Sequence, residues 1–84
     1  MKYCLITFRS VTPAQRSERV LRTGGFACWL QRTPRWMEEQ GCGYSLRLDC
    51  TDMMTATALL RQAGIGYRKA YSLTDGGMPE ELRL

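Results

Sequence analysis

Among the residues able to do chemistry, Cys42 stands out, because it lies between two glycines in Gly41-Cys42-Gly43. A thiol flanked by residues without side chains is poorly shielded, and backbone N–H groups in such a stretch can turn toward an anion. Arg35, in Thr33-Pro34-Arg35, supplies a cation seven residues earlier. Arg47, five residues on, is a second cation. The thiolate is the reactive form of cysteine, so exposure plus neighbouring positive charge would make Cys42 a nucleophile or a covalent carrier. The competing reading is a glycine turn entering a strand, with Cys42 an inert small residue.

The other candidates carry less. Cys4, Cys28 and Cys50 lie in strand-like patterns beside apolar neighbours, where cysteine behaves as a small hydrophobe, and they are expected in the core as free thiols. The four cysteines are 24, 14 and 8 residues apart, there is no Cys-x-x-Cys pair and no histidine, so no usual zinc spacing is present and no metal is expected. No cofactor motif appears. Trp36 beside Arg35 could stack on a base or ring, but aromatic residues in small domains usually pack. Glu38-Glu39 reads as a solvated turn.

Eighty-four residues make one domain with a modest core, and a second copy would help it to bury more. No apolar run approaches the length that spans a bilayer, and the start, Met1 to Ile6, lacks the pattern of a secretory signal; a cytoplasmic location is the expectation. Ten of the twelve basic residues are arginine and the net charge is +4, but these charges are dispersed rather than clustered, which says little about a specific partner.

The elements that must hold Cys42 can be read from periodicity. Tyr3–Phe8 alternates with both faces largely apolar, as a central strand does. Thr12, Pro13 and Gln15 predict a helix start with a capping box, Ala14, Ser17, Val20 and Leu21 form its inward stripe, and Gly24 suits the left-handed residue at its end. Residues 26–32 predict a second strand, 33–43 a loop, and Tyr44–Cys50 a third strand. Thr51 caps a second helix over residues 52–63 with Met53, Ala56, Thr57, Leu60 and Ala63 inward, and Gly64-Ile65 closes it. Tyr67–Leu73 predicts a fourth, edge strand. The segment Leu21–Phe26 echoes Leu60–Ile65, one helix end matching the other. The order is βαββαβ. It predicts an α+β, ferredoxin-like domain over residues 1–74, with a four-stranded antiparallel sheet, both helices on one face, and a flexible tail at 75–84. Trp29, Arg47 and Leu5 or Ile6 would line the open face.

A strand with an early tyrosine, a helix ending in glycine, a Pro-Arg loop and then Cys-Gly entering a Leu/Arg-rich strand resembles the selenium/sulfur carrier-like family of small bacterial proteins. The resemblance covers roughly residues 2–73 and is carried by Thr33-Pro34-Arg35, Cys42-Gly43 and Ser45-Leu46-Arg47-Leu48. It implies that Cys42 holds sulfur or selenium as a persulfide or selenosulfide, with Arg35 steadying the anion and Pro34, Gly41, Gly43 and Arg47 completing the binding set. It also implies protein donors and acceptors. Where the family's loop is rich in Ser or Ala, this chain reads Trp-Met-Glu-Glu-Gln-Gly, and nearby carboxylates raise a thiol's pKa.

Two classes of function follow. One is a non-enzymatic cytosolic carrier. The alternative is a non-catalytic module that oligomerises or binds an anion or nucleic acid. The basic-Gly-aromatic run of RNA-binding sheets is missing from the third strand, which argues against nucleic acid. A small-ligand sensor would share the same fold.

Overall fold

In the computed structural model, which describes residues 2–33, 43–74 and 77–82, the sheet is built around β1 (Lys2–Phe8). Its two apolar faces explain that position: Cys4, Ile6 and Phe8 face the helices, Leu5 faces the other way, and all four are at most 1% exposed. The other strands are β2 (Cys28–Arg32), β3 (Tyr44–Leu48), β4 (Ala70–Thr74) and β5 (Glu80–Leu82). They form one antiparallel sheet in the order β2-β3-β1-β4-β5.

The fold is therefore α+β with two helices and an antiparallel sheet, but the sheet has five strands rather than four. The expectation of β4 as an edge and of 75–84 as a tail missed β5, which pairs Tyr71 with Glu81 and Ala70 with Leu82. Three residues, two of them glutamates, carry no alternation from which a strand could be read.

Helices α1 (Val11–Thr23) and α2 (Met53–Gln62) cover one face. Ala14, Leu21, Met53, Ala56 and Leu60 pack there against Cys4, Ile6, Phe8, Cys28, Leu46 and Leu48. Both helices end alike, as their sequence echo suggested. Phe26 N–H donates to the Leu21 carbonyl and Gly25 N–H to that of Arg22; Ile65 and Gly64 repeat this onto Leu60 and Arg61. These paired bonds are Schellman closures and need a left-handed residue. Gly25 (φ 88°) and Gly64 (φ 73°) supply it, so the left-handed residue of α1 is Gly25 rather than Gly24.

The helix starts also differ from expectation. Helix α1 begins two residues earlier, with Ser10 as N-cap and no side-chain capping bond, so the box drawn from Thr12 and Gln15 does not form. Before α2, Asp49 is the capping acceptor: its carboxylate takes bonds from the Thr51 N–H (3.0 Å) and hydroxyl (2.9 Å), closing a 3-10 turn over Cys50–Asp52. These two bonds, the backbone one first, hold the Asp49 carboxyl below its ordinary pKa. Strand β3 accordingly stops at Leu48 and releases Cys50 into that turn.

Candidate functional site

Cys42 and its companions Pro34, Arg35 and Gly41, with Trp36 and Glu38-Glu39, lie outside the described residues. What is described is the frame from which their segment springs. Strands β2 and β3 form a hairpin with Arg32 opposite Tyr44. One step further, Thr33 N–H donates to the Gly43 carbonyl at 3.0 Å. The segment that carries Cys42 thus begins and ends at a closed, hydrogen-bonded base, and Gly43 is buried in it.

At this base two hydroxyls are sealed from solvent. Ser45 is 0% and Thr33 8% exposed, and neither Oγ has a hydrogen-bond partner among the described residues. Strand alternation and register put both on the face opposite the helices, Ser45 between Thr7 and Gln31. A buried hydroxyl without a partner costs roughly 1–3 kcal/mol, so such groups call for an explanation, and each is a donor able to serve an anion. Sequence reasoning assigned these two residues no role beyond the motif they sit in. A visible signal existed: both are hydroxyl residues flanking the loop.

The same end of the sheet is basic. Arg32 stacks its guanidinium over the Tyr44 ring at 5.6 Å. Arg9 follows β1, and Arg68 and Lys69 precede β4. Their backbone is fixed to β1: Arg68 N–H donates to the Thr7 carbonyl (2.8 Å), Thr7 N–H to that of Lys69 (2.8 Å), and Lys69 N–H to Thr7 Oγ1 (3.1 Å).

Arg47 is placed elsewhere. It is exposed on the open face, opposite both Leu5 and Trp29, and its guanidinium lies 4.2 Å from the centre of the Tyr3 ring. Tyr3 lies toward the start of β1, so the head of Arg47 is turned away from Gly43. The register also settles which residue of the pair Leu5/Ile6 lines the open face: it is Leu5. Trp29, 56% exposed, joins Tyr3, Arg47, Asp49 and Asp52 around a cavity of about 310 Å³ at that opposite end.

The cysteines expected to be free divide differently. Cys4 and Cys50 form a disulfide, with Cα atoms 5.1 Å apart. The expectation of free thiols at both positions is thus corrected. The release of Cys50 from β3 into the 3-10 turn brings it back over Cys4, a closure that spacing alone does not show. Cys28 is a free, buried thiol, as expected. Burial pushes its pKa above the ordinary 9.0, against the opposing pull of Arg22. No group of three or more potential metal-ligating acids or cysteines is found among the described residues.

A pinned Gly43 base, a Pro-Arg before it and the Ser-Leu-Arg-Leu strand after it all fall inside one family match, over residues 3–72. The chain belongs to the Putative Se/S carrier protein-like family. The matched stretch runs from β1 into β4 and takes in the whole of 33–48, while β5 lies beyond it. No curated protein and no solved structure is similar enough to the chain to count as a match. Among the described residues no helix is long and apolar enough to cross a membrane.

Proposed function

We propose that this chain is a non-enzymatic carrier that holds a sulfur or selenium atom on the Cys42 thiolate and passes it between protein partners in the cytoplasm. The observation that carries this reading is the family match, which spans the Pro34-Arg35 and Cys42-Gly43 elements in their order and spacing. The frame around them supports it: a hydrogen-bonded base at Thr33 and Gly43, two buried donor hydroxyls, and basic side chains at that end of the sheet.

The step is an exchange at sulfur. The Cys42 thiolate attacks the outer sulfur of a donor persulfide; the donor's S–S bond breaks, a new S–S bond forms on Cys42, and the donor leaves as its thiolate. An acceptor nucleophile reverses this and frees Cys42. Selenium would ride in the same way as a selenosulfide. Arg35 would hold the terminal anion by a charge-assisted contact, with Pro34, Gly41 and Gly43 shaping the backbone around it. Arg47, stacked on Tyr3, would instead shape the surface on which a partner rests.

In a cytoplasmic setting the Cys4–Cys50 bond would have to be a redox-responsive pair, since that compartment keeps ordinary thiols reduced. Incubation with a persulfide donor followed by intact-mass measurement tests the reading. One added sulfur is expected on the parent and none on Cys42→Ser; equal loading of both would refute it.

A second reading, a non-catalytic self-associating module, is favoured by one observation. Trp29 exposes more than half its surface beside Arg47 and Tyr3, and large exposed aromatics mark contact surfaces. Sedimentation of the parent and of Trp29→Ala separates the two: a dimer that dissociates in the variant supports this reading, and a monomer in both removes it.

A further inference from the structure

A cavity of about 560 Å³ opens at the basic end of the sheet, lined by Arg9, Pro13, Gly66, Tyr67, Arg68 and Lys69. That volume falls in the range of roughly 300–1,000 Å³ typical of small-ligand sites. We propose that this cavity binds the phosphoryl group of a small phosphate ester between the cations of Arg9, Arg68 and Lys69, a role that stands apart from the carrier chemistry at Cys42.

The first ground is charge. Among the described residues that line it, three of six are cationic and none is acidic. Lys69 Nζ lies 3.7 Å from a Glu81 carboxylate oxygen, a loose exposed pair that a dianion could outcompete. Guanidinium forks match phosphoryl oxygens two at a time, and two of the three cations are arginine.

The second ground is pre-organisation. Arg68 and Lys69 do not hang from a loose loop. Four hydrogen bonds between their backbone and Thr7 fix them to the central strand, and Arg9 lies two residues past Thr7 on the same backbone. The cations therefore converge from two segments already locked together, which lowers the ordering cost of binding.

The third ground is the wall supplied by α1. Pro13, in its first turn, lines the cavity, that turn carries no acidic side chain, and Ser10 makes no side-chain cap. The first turn of a helix has N–H groups without intrahelical acceptors and a partial positive charge. Here both add to a cavity whose charge is already positive. Tyr67 gives the ester's organic part a ring to lie against, and Gly66 leaves room beside it: a Cβ built there meets nothing within 4 Å.

Isothermal titration of the full chain with inorganic phosphate and with pyrophosphate, against sodium chloride of matched ionic strength, is the test. Saturable one-to-one binding is expected, tighter for pyrophosphate. Arg9→Gln and Arg68→Gln should each weaken it by about tenfold or more, the loss expected for one charged hydrogen bond. Arg19→Gln, an exposed arginine further along α1, should leave it within about twofold, and circular dichroism shows whether each variant is folded. Arg9 is exposed and makes no ion pair or hydrogen bond among the described residues, so its variant serves if Arg68→Gln misfolds. Heats no larger than those of chloride, or equal weakening by Arg19→Gln and Arg9→Gln, would overturn the proposal. Cys42→Ser should bind pyrophosphate like the parent, so failure here and failure of the carrier reading are separate results.

Discussion

At one end of the sheet the chain is cross-linked; at the other, among the described residues, it is held by hydrogen bonds and its charges are mostly positive. The cross-linked end gathers the starts of β1, β2 and α2 with the close of β3. It holds the Cys4–Cys50 disulfide, the Asp49 cap, and the Trp29, Tyr3 and Arg47 cavity with two aspartates on its rim. The opposite end gathers the close of β1 and β2, the starts of β3, β4 and α1, and the base from which the Cys42 segment emerges. Arg47 lies four positions past Gly43 and Leu48 five, roughly 15 Å of extended chain. One small sheet thus keeps its covalent staple away from the base at Thr33 and Gly43.

Breaking the staple should give the largest effect. Closing a loop across 46 residues constrains the unfolded chain by about 4 kcal/mol in the entropy account. The double variant Cys4→Ala/Cys50→Ala is expected to lose about 2–4 kcal/mol in urea unfolding while still taking up one sulfur at Cys42. Loss of loading in a folded variant would mean that the two ends are coupled.

The buried hydroxyls come next. Since Ser45 Oγ has no partner among the described residues, Ser45→Ala should be neutral or stabilising by about 1 kcal/mol. If that hydroxyl serves the loaded anion, the same variant should load sulfur more slowly. Slower loading with unchanged or higher stability would sharpen the contrast between the ends. A stability loss beyond about 2 kcal/mol would show that the hydroxyl is structural.

A smaller effect is expected from Arg47→Met, which removes the stack on Tyr3. An exposed cation–π contact contributes about 0.5–1 kcal/mol, and the reactivity of Cys42 should not change. A changed alkylation rate at Cys42 would bring Arg47 back into the thiol's neighbourhood.

The smallest effects are those of pH. The Cys28 pKa is raised on folding, so the folded state holds the thiol proton more tightly than the unfolded one. Its contribution is complete below the unfolded thiol value and fades as pH climbs past 9.0 toward the folded value. Stability should therefore fall at alkaline pH less steeply in Cys28→Ala than in the parent. Asp49 runs the other way: its lowered pKa gives a contribution present above 3.8 and lost as pH drops through the folded value, which Asp49→Asn should abolish. Unfolding curves at matched pH check both.

Much of this architecture could be read from residue order, because periodicity reports local elements well. Both apolar faces of Tyr3–Phe8 marked a central strand, Gly64-Ile65 marked a Schellman closure, and the echo of Leu21–Phe26 in Leu60–Ile65 marked two matching helix ends. What escaped were facts of long-range geometry. Nothing in Glu80–Leu82 announces a strand; it becomes one because β4 offers an unpaired edge. The disulfide escaped because it depends on where β3 stops, and Asp49 ends that strand by capping the turn that carries Cys50. Gly24 was preferred to Gly25 because two adjacent glycines look alike in sequence, although aligning the echo puts Gly25 against Gly64. Of the candidate site, the motif Thr33-Pro34-Arg35 to Cys42-Gly43 was legible as a pattern. The buried state of Thr33 and Ser45 was not, since hydroxyl residues beside a loop ordinarily face water.

The central claim of the proposed function is that Cys42 is the reactive thiol. Alkylation rates of each cysteine across pH, read by peptide mass without reductant, test it directly. The account predicts one fast site at Cys42, with a midpoint below that of an ordinary thiol, and slow modification of buried Cys28. Modification of Cys42 as slow as that of Cys28 at every pH would contradict it.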